Sequence, residues 1–185
     1  MRRTALIVAG VAALWTGLAQ AEDTYPVIDD IQAEPAGPVV DLKSGWKLQL
    51  RKEEYDGKTA YSCFIGKKSA DKENKDASLN FSWRGGNYML SVWDRGWLTD
   101  PLDPEAFDVT LRLATEHGTV EADAAWEYGV VSIWFESMDD IEEWGLVEVS
   151  LAEVPGRSIK FDTTGLDKAE KRLMECVSDA KKKNG

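Results

Sequence analysis

The stretch TGLDKAEKRLMECVSDAK, residues 164–181, decides how this chain folds, because it predicts an amphipathic helix that carries one of only two cysteines. At helical spacing the apolar residues fall on one face, and they are Leu166, Ala169, Leu173, Cys176, Val177 and Ala180. Thr163 or Thr164 is placed to cap the first turn, Asp167 suits the positive end of the helix, and the lysines at 181–183 suit its carboxyl end. We therefore expect the helix to pack its apolar face on the rest of the fold.

The second cysteine, Cys63, lies in residues 59–65, a segment whose β-branched and aromatic residues are typical of a strand. Two cysteines in an exported chain usually pair. We therefore predict a Cys63–Cys176 disulfide that holds the last helix against an early strand. A reactive thiol is the alternative interpretation, and the apolar setting of both cysteines opposes it.

Residues 1–21 have the pattern of a secretory signal peptide. Arg2 and Arg3 precede an apolar run at residues 5–18, and Ala19, Gln20 and Ala21 form a small-x-small cleavage site. The apolar run is shorter than the ~20 residues that a membrane-spanning helix needs, and no second such run follows. We expect cleavage near Ala21, a periplasmic or secreted protein, and no membrane span.

The charge balance narrows the choice of partners. The whole chain has 22 basic and 33 acidic residues; without Arg2 and Arg3, 20 basic residues remain and the net charge is −13. Such a charge repels nucleic acid and favours a cationic partner, although it is also a common aid to solubility. We expect no nucleic-acid ligand, and another protein, possibly cationic, as the partner.

The mature chain divides into an extended lead-in at residues 22–44, which is rich in proline and acidic residues, and a single domain at residues 45–185. About eight segments of alternating polar and apolar residues predict short strands joined by hairpins. Residues 66–78, with seven charged side chains, are expected to form a solvated loop. The predicted fold class is α+β: mainly antiparallel β, as a curved sheet, a sandwich or a partly open barrel, with the C-terminal helix packed on it.

Aromatic residues at the end of one predicted strand offer a ligand hypothesis. Indole faces with polar neighbours can receive a sugar or a cation, and the candidates are Trp93, Asp94, Arg95 and Trp97, with Trp144 further along the chain. The competing interpretation is that most of the tryptophans fill the core. Trp97 and Trp144 lie in loop-like settings and are the ones expected to be exposed.

Metal binding and catalysis find less support in the sequence. Oxygen ligands for calcium could come from the acidic residues of one proline-rich segment, which are Asp100, Asp103, Glu105 and Asp108, but their spacing is not that of an EF-hand. His117, the only histidine, precedes a glycine and is expected in an exposed turn. No catalytic motif surrounds it. We expect no cofactor and no enzymatic activity, with a hydrolase that uses dispersed carboxylates as the remaining alternative.

The ending IKFDTTGL, residues 159–166, followed by Ala169, Leu173 and Cys176, resembles the close of small exported β-rich proteins of Gram-negative bacteria, among them the invasion-associated locus B group. The resemblance covers residues 159–176 and Cys63. It implies a periplasmic β-rich fold with a terminal helix, and it carries over no catalytic residue. The sequence thus predicts a non-enzymatic, disulfide-linked interaction module, or alternatively a module that binds carbohydrate or another small ligand.

Overall fold

The computed structural model describes residues 32–55, 58–84, 86–94, 97, 108–127, 130–138, 141 and 144–184. Within these ranges the chain forms eleven strands and one long helix. The strands are β1 (Gln32–Pro35), β2 (Val40–Asp41), β3 (Lys47–Tyr55), β4 (Lys58–Lys68), β5 (Ser78–Arg84), β6 (Asn87–Trp93), β7 (Asp108–Thr115), β8 (Gly118–Glu127), β9 (Val130–Phe135), β10 (Leu146–Leu151) and β11 (Ser158–Asp162). The helix, α1, is Leu166–Asn184.

All of these strands belong to one sheet in which every described pairing is antiparallel. The strand order is β1-β3-β4-β5-β6-β9-β8-β7-β10-β11, and β2 pairs with β3 beside β1. The first and last strands of this order do not pair with each other, so the sheet is open. The α+β class expected from the sequence is confirmed, with one sheet and one packed helix.

The loop between β4 and β5 reaches the far end of the strand order. The amide of Ala70 donates to the carbonyl of Lys160 on β11 at 2.9 Å, and the side-chain amide of Asn74 donates to the carbonyl of Ser158 at 3.2 Å. Seven strand spacings separate β4 from β11, which in a flat sheet would be roughly 34 Å. The sheet therefore bends strongly, and the segment expected to be a solvated loop is instead hydrogen-bonded to the fold.

The core follows from strict alternation along the strands. In β7, for example, Val109, Leu111 and Leu113 are buried between more exposed polar residues. The inward side chains of β3 to β6 and of β9 to β11 join the same cluster as the buried face of α1. Burial of this apolar area is what holds the open sheet and the helix together.

Helix α1 covers β3, β4 and β5 with the face predicted from the sequence. Its buried residues are Leu166, Ala169, Leu173, Val177 and Ala180. The predicted Cys63–Cys176 disulfide joins β4 to the helix, with the two Cα atoms 6.0 Å apart. At the far end of the helix, the side chain of Asn184 accepts from the amide of Tyr61 at 2.7 Å and donates to its carbonyl. The helix is thus fixed to β4 at two points.

The start of α1 differs from the predicted cap. The Thr163 hydroxyl is buried and donates to the carbonyl of Gly145 at 2.9 Å, so it links the helix start to the beginning of β10 instead of capping the first turn. The Thr164 carbonyl accepts a hydrogen bond from the indole Nε1 of Trp46 at 3.1 Å. Both residues therefore anchor the helix to the sheet.

Two further features concern the lead-in and the membrane. Strands β1 and β2 belong to the lead-in at residues 22–44, and both pair with β3. In the ranges that the structure describes, no helix is long and apolar enough to cross a membrane.

Candidate functional site

The outer face of the sheet, opposite the buried side chains of β4 to β6, carries a row of small polar residues. Gly66 pairs with Asn80, Asn80 with Ser91, and Ser91 with Ser132. These four positions therefore lie side by side across β4, β5, β6 and β9. Because side chains alternate along a strand, their neighbours in sequence, such as Leu79 and Leu90, point into the core.

Larger side chains flank this row on both sides. On one side Phe64, Ser82, Met89 and Trp134 are in register across the same four strands. On the other side the register brings together Lys68, Ser78, Trp93 and Val130. On β5 both flanking residues are serines, so the depression centres on Ser78, Asn80 and Ser82, and its lining extends from β3 across β4, β5 and β6 to Val130 of β9.

We call this depression the serine groove. It has a volume of about 330 Å³, and its lining includes Ser62, Phe64, Ser78, Asn80, Ser82, Met89, Ser91, Trp93 and Val130, with Arg51 and Glu53 of β3 at one end. Ligand sites commonly start at about 300 Å³ and combine apolar walls with a few polar groups. The serine groove has both properties.

Ser82 is the unusual residue of the groove. It is only 7% exposed, and within the described part of the chain its Oγ atom is buried and has no hydrogen-bond partner. Its cross-strand neighbours are Phe64 and Met89. A buried hydroxyl without a partner costs about 1–3 kcal/mol. Because Oγ is itself buried, a ligand in the groove can satisfy it only after Ser82 rotates its hydroxyl to the groove surface.

The other polar groups of the groove are held in place by their neighbours. The Ser62 hydroxyl donates to Oε1 of Glu53 at 2.5 Å, and Nδ2 of Asn80 donates to Oγ of Ser78 at 3.1 Å. A Cβ atom on Gly66 would lie only 2.4 Å from Oδ1 of Asn80. The absence of a side chain at Gly66 therefore leaves space for the Asn80 amide.

Cations and aromatic rings border the groove. The guanidinium of Arg51 lies 4.1 Å from the centroid of the Phe64 ring, and Nζ of Lys68 lies 5.7 Å from that of Trp93. Lys68 also donates to the carbonyl of Asp76 at 2.8 Å, which fixes its position. Trp134, in the row of Met89, is 49% exposed. Trp93 thus offers indole surface to the groove, whereas Trp134 lies outside its lining.

The structure divides the tryptophan-rich segment that the sequence singled out. Trp93 lines the groove, whereas Asp94 is buried and accepts from Nε of Arg157 at 2.6 Å. This ion pair ties the end of β6 to the turn before β11, so Asp94 has a structural role. Arg95 lies outside the described residues.

Trp97 and Trp144 were both expected to be exposed. This prediction was wrong for Trp97 and only partly met for Trp144. Trp97 is 1% exposed and belongs to the core cluster, because its large apolar ring gains more from burial than from a surface position. Trp144 is half-buried and packs against the same cluster. Neither residue lines the serine groove.

The candidate calcium ligands Asp100, Asp103 and Glu105 lie outside the described residues, and Asp108 is exposed at the start of β7. Within the described ranges, no three histidine, cysteine or acidic side chains are grouped as metal ligands. His117 lies in the exposed turn between β7 and β8, as expected, with Nε2 3.6 Å from the Glu116 carboxylate.

Sequence reasoning did not find the serine groove, although part of the signal was present. In β5 the polar residues Ser78, Asn80 and Ser82 alternate with apolar ones, which predicts a polar outer face. The register that aligns them with Ser91 and Ser132 depends on the pairing of β6 with β9, and local alternation does not specify that pairing.

Comparisons with known proteins identify no relative. No family model matches the chain, and neither a curated protein nor a solved structure matches it.

Proposed function

We propose that this chain is an exported, non-enzymatic binding protein and that the serine groove holds its ligand. The observation that carries the proposal is the buried Ser82 hydroxyl, which lacks a partner among the described residues, in a groove that is also lined by hydroxyl, amide and aromatic side chains. Export is supported by the signal-peptide pattern at residues 1–21 and agrees with a disulfide, which persists in oxidising compartments.

Binding is a better interpretation than catalysis for this groove. Glycoside hydrolysis, the remaining enzymatic alternative, needs two facing carboxylates. Among the described lining residues Glu53 is the sole carboxylate, and it accepts from Ser62. His117 lies in the β7–β8 turn and is not part of the lining. Hydroxyl, amide and indole groups recognise a ligand by contact alone.

The test is a titration of the ¹⁵N-labelled mature protein with a mixed panel of neutral oligosaccharides, dipeptides and aromatic amines, followed by NMR. We expect at least one compound to shift the amides of Asn80, Ser82, Ser91 and Trp93 together. Ser82→Ala should lower the affinity for that compound about 10-fold, which corresponds to the loss of one hydrogen bond. The same variant should be equally stable or more stable, since it removes an unpaired buried hydroxyl.

Two results would overturn the proposal. The first is a panel in which no compound shifts the groove amides. The second is a compound whose shifts and affinity are the same in Ser82→Ala as in the wild type. Thr119→Ala, on the exposed part of β8, is a matched control that removes a hydroxyl outside the groove lining. It should leave the affinity unchanged.

A cationic protein partner is the second candidate function, and the surface of β7 and β8 favours it. This hairpin exposes Asp108, Glu116, Glu121 and Asp123, whereas its one arginine, Arg112, already pairs with Glu121 at 2.6 Å. A pull-down from periplasmic extract at low and high salt tests this candidate, because attraction between exposed charges weakens with salt. Retention of a partner should be lost in an Asp108→Asn, Asp123→Asn variant. Equal retention by that variant would contradict this candidate.

A further inference from the structure

We infer that the ligand of the serine groove is a linear, neutral oligosaccharide that lies across the strands. This inference rests on the proposed function and adds the chemical class of the ligand and its direction. It follows from the direction of the groove, the order of its polar groups and its charge.

The direction of the groove excludes the usual mode of peptide binding to a sheet. The groove lining runs from Ser62 and Phe64 of β4 across β5 and β6 to Val130 of β9, which is about 14 Å at the usual strand spacing. Strands β4, β5, β6 and β9 each pair on both sides, so they have no free edge to which an extended peptide could add as a further strand. A ligand here must contact side chains, and it must be long and narrow.

The polar groups along the floor repeat with the strand spacing. Ser62, Asn80 and Ser91 place a hydroxyl or an amide on β4, β5 and β6, which lie roughly 4.8 Å apart. Each hydroxyl both donates and accepts. This matches a chain of sugar rings, whose hydroxyl groups also donate and accept at regular intervals.

The rows beside the floor suit the apolar faces of sugar rings. Trp93 stands on one side and Met89 stands on the other. An indole presents a broad flat surface against which the C–H groups of a pyranose ring can pack. A cation lies over the rings of both Phe64 and Trp93, Arg51 at 4.1 Å from the Phe64 centroid and Lys68 at 5.7 Å from that of Trp93, so the Trp93 ring is the less closely covered of the two.

The charges of the groove favour a neutral ligand. Arg51 and Glu53 are the ionic residues of its described lining, one of each sign and both at the β3 end. Lys68 borders the groove beside Trp93, where it is held by the carbonyl of Asp76, and the rest of the described lining is uncharged. An anionic ligand would also approach a mature chain whose net charge is −13.

Gly66 provides a variant that disturbs the groove through Asn80, which lines it, without touching the core. In Gly66→Ala the new methyl group would overlap Oδ1 of Asn80, a side-chain atom that is able to turn away. The Asn80 amide would then leave its hydrogen bond to Ser78, and the floor would be narrower. Gly37→Ala is the matched control, because a Cβ atom at Gly37 has no neighbour within 4 Å.

The experiment measures affinity for glucose, cellobiose, cellotriose and cellotetraose, with the matching maltose series and with oligogalacturonate as the anionic probe. We expect affinity in one neutral series to rise with chain length up to three or four units, and the anionic probe to bind at least 10-fold more weakly. Trp93→Ala and Gly66→Ala should each lower the affinity for the longest sugar about 10-fold. This corresponds to the loss of one stacking contact or one hydrogen bond. Gly37→Ala should have no effect.

The possible failures separate the two proposals. If dipeptides or amines shift the groove amides and no oligosaccharide does, the ligand class is wrong and the proposed function stands. If no probe shifts those amides, both are wrong. If sugars bind with an affinity that does not depend on length and is unchanged in Gly66→Ala, the orientation across the strands is wrong.

Discussion

Ser82, Asp94 and Thr163 are the buried polar side chains among the described residues. Thr163 donates to the Gly145 carbonyl, and Asp94 pairs with Arg157, so both connect separate parts of the sheet. Ser82 has no such partner in the described structure. Because a buried polar group stabilises a fold only when it is paired, Ser82 is the one of the three whose hydroxyl does not support the fold.

Asp162 gives a residue-scale prediction about pH. Its Oδ1 accepts from the amide of Thr164 at 2.9 Å and its Oδ2 lies 3.5 Å from Nζ of Lys67. A hydrogen bond from the Thr164 side chain is the main cause that holds the pKa of Asp162 below its ordinary value of 3.8; the Thr164 amide and the Lys67 charge act in the same direction, and burial opposes them. A lowered folded-state pKa means that this carboxylate stabilises the fold above pH 3.8 and that the gain is lost as the pH falls through the folded-state value.

Asp162→Asn keeps an oxygen that can accept from Thr164 and removes the charge. Since the side chain is about half exposed, we expect the variant to lower the free energy of unfolding by about 0.5–1 kcal/mol at pH 7. Urea unfolding of both proteins at several pH values from 7 to 2.5 checks this, and the difference should shrink towards zero at the acid end. A difference that stays constant with pH would show that ionisation of Asp162 plays no part.

At the level of single residues, the sequence predicted pairing better than exposure. A chain with two cysteines has one possible intramolecular bridge, so Cys63 and Cys176 could be paired from their number alone. The burial of Trp97 and the Asp94–Arg157 contact depend on segments that are far apart in sequence. Local composition around Trp97 contains no information about them.

Among the secondary-structure elements, α1 begins at a point where the backbone comes very close to another segment. Gly165 has φ +81°, and a Cβ atom there would lie 2.7 Å from Oγ and 2.9 Å from Cβ of Ser44. Glycine is required for both reasons, since it adopts positive φ without strain and leaves space for Ser44. This contact sets how the helix leaves β11 and turns towards β3.

Gly165→Ala should therefore destabilise the protein more than backbone strain alone predicts. Gly156→Ala is the matched control, because Gly156 has nearly the same φ, +85°, and open space around its Cα atom. We expect a loss of about 1 kcal/mol for Gly156→Ala and of about 2–4 kcal/mol for Gly165→Ala, where the overlap is added. Thermal and urea unfolding measure both, and equal losses would contradict a role for the Ser44 contact.

Helices and hairpins could be predicted from the sequence, whereas their assembly could not. Alternation within β3 to β6 and turn residues between them fix each hairpin locally, and the apolar face of α1 is visible from its spacing. The strand order places β9 next to β6 and β10 next to β7. Those pairings join segments with similar alternating patterns, so sequence periodicity does not choose among them, and the serine groove depends on one of them.

At the scale of the whole molecule, the Cys63–Cys176 disulfide connects an early strand to the last helix across 113 residues. In the chain-entropy model, a loop of that length restricts the unfolded chain by about 4–5 kcal/mol, and residual structure in the unfolded state lowers this value. The bridge also holds α1 over β4, whose other face forms part of the serine groove. Oxidation is therefore expected to stabilise the sheet that carries the groove.

The last prediction concerns a Cys63→Ala, Cys176→Ala variant of the mature chain. We expect its free energy of unfolding to be about 2–4 kcal/mol lower than that of the oxidised wild type, measured by urea unfolding. Reduced wild type, equilibrated with reductant in mild denaturant because Cys63 is buried, should fall close to the variant, whereas reductant should not change the variant itself. Because the two reduced forms differ by only two sulfur atoms, their agreement would assign the loss to the bridge and not to packing of the side chains. A reduced wild type as stable as the oxidised one would show that the sheet and helix α1 hold together without this connection.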